Sequence, residues 1–107
     1  MWLRLRQICL VARDIEQVTQ AFQTIFGLEV CHIDPNVGKY GLENRLLPIG
    51  NQILEIVAPT QPDTAAGRYL ERRGGDGGYM VITQCDDHAP TEIGRQDFDG
   101  DIRCRRP

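Results

Sequence analysis

No stretch of this 107-residue sequence approaches the roughly 20 consecutive apolar residues that a membrane helix requires. The opening MWLRLRQICLVARD carries Arg4, Arg6 and Arg13, which break the apolar segment that a secretory signal needs. No internal repeat is visible. The four cysteines, Cys9, Cys31, Cys85 and Cys104, form no C-x-x-C pair. That spacing argues against a zinc site or a disulfide frame and for reduced thiols in a cytoplasmic protein. The formal net charge is only −3, too small to call for a partner of either sign. Arg103, Arg105 and Arg106 cluster at the C-terminus. They are interrupted by Cys104, interleave with no aromatic ring and lie beside Asp97, Asp99 and Asp101, so they read as a solvated terminus with no nucleic-acid role. The Gly-rich GGDGG at 74–78 is followed by no Lys or Ser/Thr at phosphate-loop spacing.

What is present is an ordinary globular composition, 41% hydrophobic and 25% charged, in a length that fits one domain. A chain of this size buries its core with little margin. Residues 3–12 (LRLRQICLVA) read as a strand. Past Arg6 both of its faces are apolar except at Gln7, the pattern of a strand covered on both sides. Asp14 is placed as a helix N-cap with Gln17 as its capping-box partner. Ile15, Val18, Phe22, Ile25 and Phe26 recur at helical spacing, and Gly27 stands where a left-handed C-cap is wanted, so a helix is predicted over 15–26.

A short strand is predicted over Leu28–Ile33, then a loop in DPNVGKYG. A strand over Glu43–Ile49 contains Pro48, which places it near a sheet edge. Gly50-Asn51 is a hairpin turn. Gln52–Val57 is a strongly apolar strand around one carboxylate, Glu55. Ala65–Arg73 reads as a short helix stopped by Gly74-Gly75, and Gly78–Cys85 as a last strand. The expected order is β-α-β-β-β, a short helix, then one more strand: an α+β fold. The expected domain organisation is 1–87 for this unit and 88–107 for a polar tail, disordered or dependent on a partner, because Pro90 and Gly94 interrupt it and large apolar residues are few.

That order resembles the repeat unit of the vicinal oxygen chelate superfamily, which includes glyoxalase I, bleomycin-resistance proteins, extradiol dioxygenases and methylmalonyl-CoA epimerase. QICLVARDIEQVTQAFQTIFGLEV is similar to the family opening, GNQILEIVAP to its hairpin and fourth strand, and GGYMVITQCDD to the first strand of a second repeat. The resemblance implies a glyoxalase-like module forming an open β-sheet cup with an incomplete second module. Members usually carry two such units. The missing strands lead to the expectation of a homodimer in which a partner covers the open side.

In metal-using relatives each repeat gives the cup one ligand from its first strand and one from its fourth. Carried over, these positions are Gln7 and Glu55, oxygen donors suited to a hard or borderline divalent ion. The equivalent first-strand position of the second repeat is Met80, a poor ligand for such an ion, with Tyr79 beside it. One chain thus offers two of four ligands. The residues themselves give independent support: a carboxylate between Leu54 and Ile56 needs a partner, a metal or water. Gln7, Cys9, Ile53, Val57, Tyr79 and Met80 are expected to line a ligand cup, with Glu55 as the reactive group if there is one. His32 and His88 match no ligand position.

The resulting expectation is a small-molecule-binding domain, analogous to bleomycin-resistance proteins, without a complete metal site in one chain. The alternatives are a divalent-metal-dependent lyase, isomerase or dioxygenase, in which Gln7 and Glu55 hold an ion that polarises a substrate oxygen, and a truncated non-catalytic interaction module.

Overall fold

β-branched and other apolar side chains dominate three stretches of the sequence, and these form the centre of one four-stranded mixed sheet. The computed structural model describes residues 2–85. Its strands are β1 (Leu3–Val11), β2 (Leu42–Ile49), β3 (Gln52–Pro59) and β4 (Gly77–Cys85), in the order β2-β3-β1-β4. β1 runs parallel to β3, with Gln7 opposite Ile53, Cys9 opposite Glu55 and Val11 opposite Val57. β2 and β4 flank this pair and run antiparallel to their neighbours. Gly50, at φ 54°, supplies the positive φ of the β2–β3 turn. Pro48 lies on β2, an edge strand, where a missing N–H costs no ladder bond.

A parallel β1–β3 pair needs a crossover, and the helix α1 (Ile15–Phe26) lies within it. Its start is fixed by Asp14, whose side chain accepts from the Gln17 N–H at 3.1 Å. Its end is fixed by Gly27 in the left-handed conformation. The apolar stripe of α1 packs on one face of the sheet: Ala12, Ile15, Leu47, Leu54, Ile56 and Ala58 are buried together, with Val18 and Phe22 against them. A second helix, α2 (Ala65–Arg73), lies on the other face. Its Ala66 and Leu70 are buried with Cys9, Val11 and Val57. Thr64 caps α2 by accepting from the Gly67 N–H at 3.0 Å, and Gly74 ends it.

Two expectations need correction. Leu28–Ile33 is not a strand. It touches the sheet through a single bridge between His32 and Leu46, with Cys31 N–H donating to the Leu46 carbonyl and Leu46 N–H to the His32 carbonyl. The chain turns away directly afterwards, because Asp34 caps a 3-10 helix over Pro35–Tyr40 where a loop was expected. Its end at Gly41 is a tight spot: at φ +70°, a Cβ would come within 2.7 Å of Thr64 Cγ2 and 2.8 Å of the Gln61 amide.

Second, β1 is covered on both faces only at its C-terminal end. Ile8 is 39% exposed on the α1 face, and its register partner Val81 on edge strand β4 is 69% exposed. The sequence expectations for 88–107, His88 among them, lie outside the described residues. Among the described residues, no helix is long and apolar enough to cross a membrane.

Candidate functional site

Alternation along β1, β2 and β3 brings three polar side chains to the α2 face of the sheet. Gln7 comes from β1, Asn44 from β2 and Glu55 from β3, and all three are buried. Gln7 Nε2 donates to Glu55 Oε1 at 2.7 Å. Asn44 Nδ2 donates to Glu55 Oε2 at 2.9 Å. Asn44 Oδ1 in turn accepts from the backbone N–H of Asp34 at 2.9 Å, tying the start of the 3-10 helix to the centre. Each carboxylate oxygen therefore receives one amide hydrogen. Gln7 Oε1 is buried and finds no partner, an exception among buried polar atoms.

The surroundings of this centre are apolar. Cys9 stands opposite Glu55 on β1, Leu46 stands opposite it on β2, and both are fully buried. Burial pushes the Glu55 carboxyl above its ordinary value. The hydrogen bonds from Asn44, Cys9 and Gln7 oppose that rise, and the negative charge of Asp34 adds to it. Burial likewise pushes the Cys9 thiol up, reinforced by the neighbouring Glu55. Cys9 is thus a protonated, unreactive thiol at neutral pH.

The residues expected to line a cup are brought to one region, in unequal settings. Gln7 and Glu55 are joined directly. Ile53 is buried beside Gln7 in the β1–β3 register. Cys9 and Val57 lie under α2 as core. Met80 faces Cys9 across β1–β4, and Tyr79 sits at an irregularity in that ladder. Both pack half-buried against the same cluster. The Tyr79 ring lies 5.2 Å from that of Tyr69, whose hydroxyl donates to the Gly78 carbonyl at 2.6 Å.

Asn44 is the member that sequence reading missed. Its signal was present: Leu42, Asn44 and Leu46 share one face of a strand, and an amide there needs a buried partner just as Glu55 does. A separate cleft of about 550 Å³ opens past the ends of β1 and β3, lined among others by Arg13, Pro59, Gln61, Arg68 and Glu71.

A divalent ion would find few donors at this centre. Gln7 Oε1 and the two Glu55 oxygens are three donors, short of the six or so a hard cation takes. Among the described residues no three His, Cys, Asp or Glu side chains group to hold a metal. The described residues therefore do not fit a complete metal centre.

The mixed four-stranded sheet with its helices is an α+β fold, consistent with a glyoxalase-like half module. No family model and no curated protein matches the sequence. The solved structures that it resembles include a methylmalonyl-CoA epimerase in complex with methylmalonyl-CoA and an ammonium ion. That match is 23% identical with a TM-score of 0.72, covering 82% of this chain and 64% of that one. A Streptomyces coelicolor methylmalonyl-CoA epimerase variant with 2-nitronate-propionyl-CoA is 24% identical, with a TM-score of 0.71 and coverages of 79% and 62%. The Mycobacterium tuberculosis methylmalonyl-CoA epimerase is 18% identical, with a TM-score of 0.65 and coverages of 72% and 51%. Identities this low establish the fold alone. The chain spans between half and two thirds of the length of these relatives.

Proposed function

We propose that the chain is a small-molecule-binding domain of the glyoxalase-like type, with its ligand on the α2 face of the sheet near Glu55. The observation that carries this reading is the Gln7–Glu55–Asn44 centre. Buried polar groups are often no more stabilising than apolar ones of the same volume. One of them, Gln7, keeps an unpartnered oxygen, which a ligand donor would satisfy. Ile53, Met80 and Tyr79 supply apolar wall around it, and Cys9 and Val57 the floor beneath.

The proposal includes a homodimer. Leu3, Leu5, Ile8 and Val81 are exposed along β1 and β4, and among the described residues β4 is an edge strand. A second copy would cover both. The proposal places the protein in the cytoplasm.

The test is a thermal-shift screen with the full chain, starting from acyl-CoA thioesters such as methylmalonyl-CoA, the ligand held by one structural neighbour. A true ligand raises the melting temperature in a concentration-dependent way, and Glu55→Gln diminishes that rise. No stabilisation by any thioester, carboxylic acid or apolar aromatic would defeat the binding reading. Sedimentation showing a folded monomer at micromolar concentration would defeat the dimer.

A second reading is a divalent-metal-dependent isomerase, favoured by the recurrence of epimerases among the structural neighbours. It needs ligands beyond Gln7 and Glu55. Epimerase activity that chelators abolish and a divalent ion restores would establish it.

A further inference from the structure

We propose that Asn44 takes the place of a metal ion at Glu55, so that this chain holds its buried carboxylate with two amides and no cation. The inference rests on the reading above only in locating the site, and it is tested without any ligand.

The orientation of Asn44 decides the matter. Its Oδ1 faces the backbone N–H of Asp34 at 2.9 Å. A backbone N–H can only donate, so the amide cannot be turned round without setting donor against donor. Nδ2 must then face Glu55 Oε2, which it reaches at 2.9 Å. A cation at that oxygen would meet the positive end of the amide dipole. The other oxygen, Oε1, is taken by Gln7 Nε2 at 2.7 Å. The single oxygen left over is Gln7 Oε1, and one neutral amide oxygen does not strip a divalent ion of its water.

The β4 side closes the remaining route. The residue opposite Cys9, which is itself opposite Glu55, is Met80, and a thioether does not compete for Mg²⁺, Mn²⁺ or Zn²⁺. Both Glu55 oxygens are thus hydrogen-bonded, Gln7 Oε1 is left over, and the cluster is incomplete as a coordination sphere. Chemically it favours a neutral hydrogen-bonding ligand over one that must chelate.

The test uses the full chain and the ions alone. Elemental analysis after dialysis, and calorimetric titration with Mn²⁺, Co²⁺ and Zn²⁺, are expected to show no stoichiometric binding. Asn44→Asp keeps the acceptor for the Asp34 N–H and replaces the donor with a second carboxylate oxygen. It is expected to gain saturable Mn²⁺ or Co²⁺ binding, with a new Co²⁺ absorption band and a metal-dependent rise in melting temperature. Met80→His provides a second gain-of-binding variant should Asn44→Asp not fold. Stoichiometric metal in the unmodified chain, lost in Glu55→Gln, would overturn the proposal. So would folded Asn44→Asp and Met80→His variants that both fail to gain metal. A failed ligand screen leaves this result standing, and detected metal leaves ligand binding standing, so the two readings fall separately.

Discussion

The two faces of the sheet bury their side chains by different means. On the α1 face, Ala12, Ile15, Leu47, Leu54, Ile56 and Ala58 form an apolar cluster, with Thr19 the buried polar residue of α1. On the α2 face, Cys9, Val11, Val57, Ala66 and Leu70 cover one end, and Gln7, Asn44 and Glu55 share the interior with Leu46. A helix closes the first face by burying apolar area, which is non-directional and tolerant. The second face adds directional bonds among Gln7, Asn44 and Glu55, with Gln7 Oε1 left unpartnered. The difference teaches that apolar burial closes the α1 face, while the α2 face carries a directional constraint that apolar burial does not impose.

The largest effect should come from Leu46 and Leu47, neighbours on β2 that point to opposite faces and are both almost completely buried. Leu47→Ala leaves a cavity in the apolar cluster and should cost about 2–5 kcal/mol in urea denaturation. Leu46→Ala removes the same atoms beside Glu55, where water can follow the carboxyl into the gap, so its cost should be the smaller. An equal or larger loss for Leu46→Ala would break the comparison.

Next in size is the polar centre. Glu55→Ala strands the amide donors of Gln7 and Asn44 and should cost about 1–3 kcal/mol. The triple replacement Gln7→Leu, Asn44→Leu and Glu55→Leu removes all partners together. It should cost less than the single change, or stabilise, as seen for other buried polar groups. A triple variant much weaker than Glu55→Ala would show that the centre supports folding after all.

The pH dependence has a definite sign. The carboxyl of Glu55 is raised above its ordinary 4.5 in the folded chain, so the folded state binds its proton more tightly than the unfolded state. The stability linked to this group is fully present below about 4.5 and falls as pH rises through the folded value. Denaturation curves at several pH values should show this decline in the parent chain and a flatter profile in Glu55→Gln. An unchanged profile would remove Glu55 as its source.

Smaller again is Gly41→Ala. Positive φ and the close Thr64 and Gln61 side chains should make it cost about 1 kcal/mol or more. The smallest effect belongs to Arg45, which bonds Glu16 of α1 at 2.6 Å and the Asn44 carbonyl at 2.8 Å. Glu16 is largely exposed, so Arg45→Ala should cost below about 1 kcal/mol and shrink further in high salt.

Much of the fold was legible because its signals are local. The cap pair Asp14 and Gly27 sets both ends of α1, and the apolar runs set β1 and β3. Leu28–Ile33 failed for a tertiary reason. Val30 turns toward the α1 cluster, so an apolar pattern was satisfied by packing without a ladder. At the site, Gln7 and Glu55 were legible as polar residues in apolar strands. Their direct bond was not, because 48 residues separate them.

By itself the sequence determined where helices start and stop, which strand positions are apolar and which two polar residues interrupt them. These follow from caps, turns and periodicity within a few residues. Only the tertiary structure decided that Asn44 completes the centre. A carboxylate's partners are chosen by strand order and register, and β2, β3 and β1 had to lie side by side before Asn44, Glu55 and Gln7 could meet.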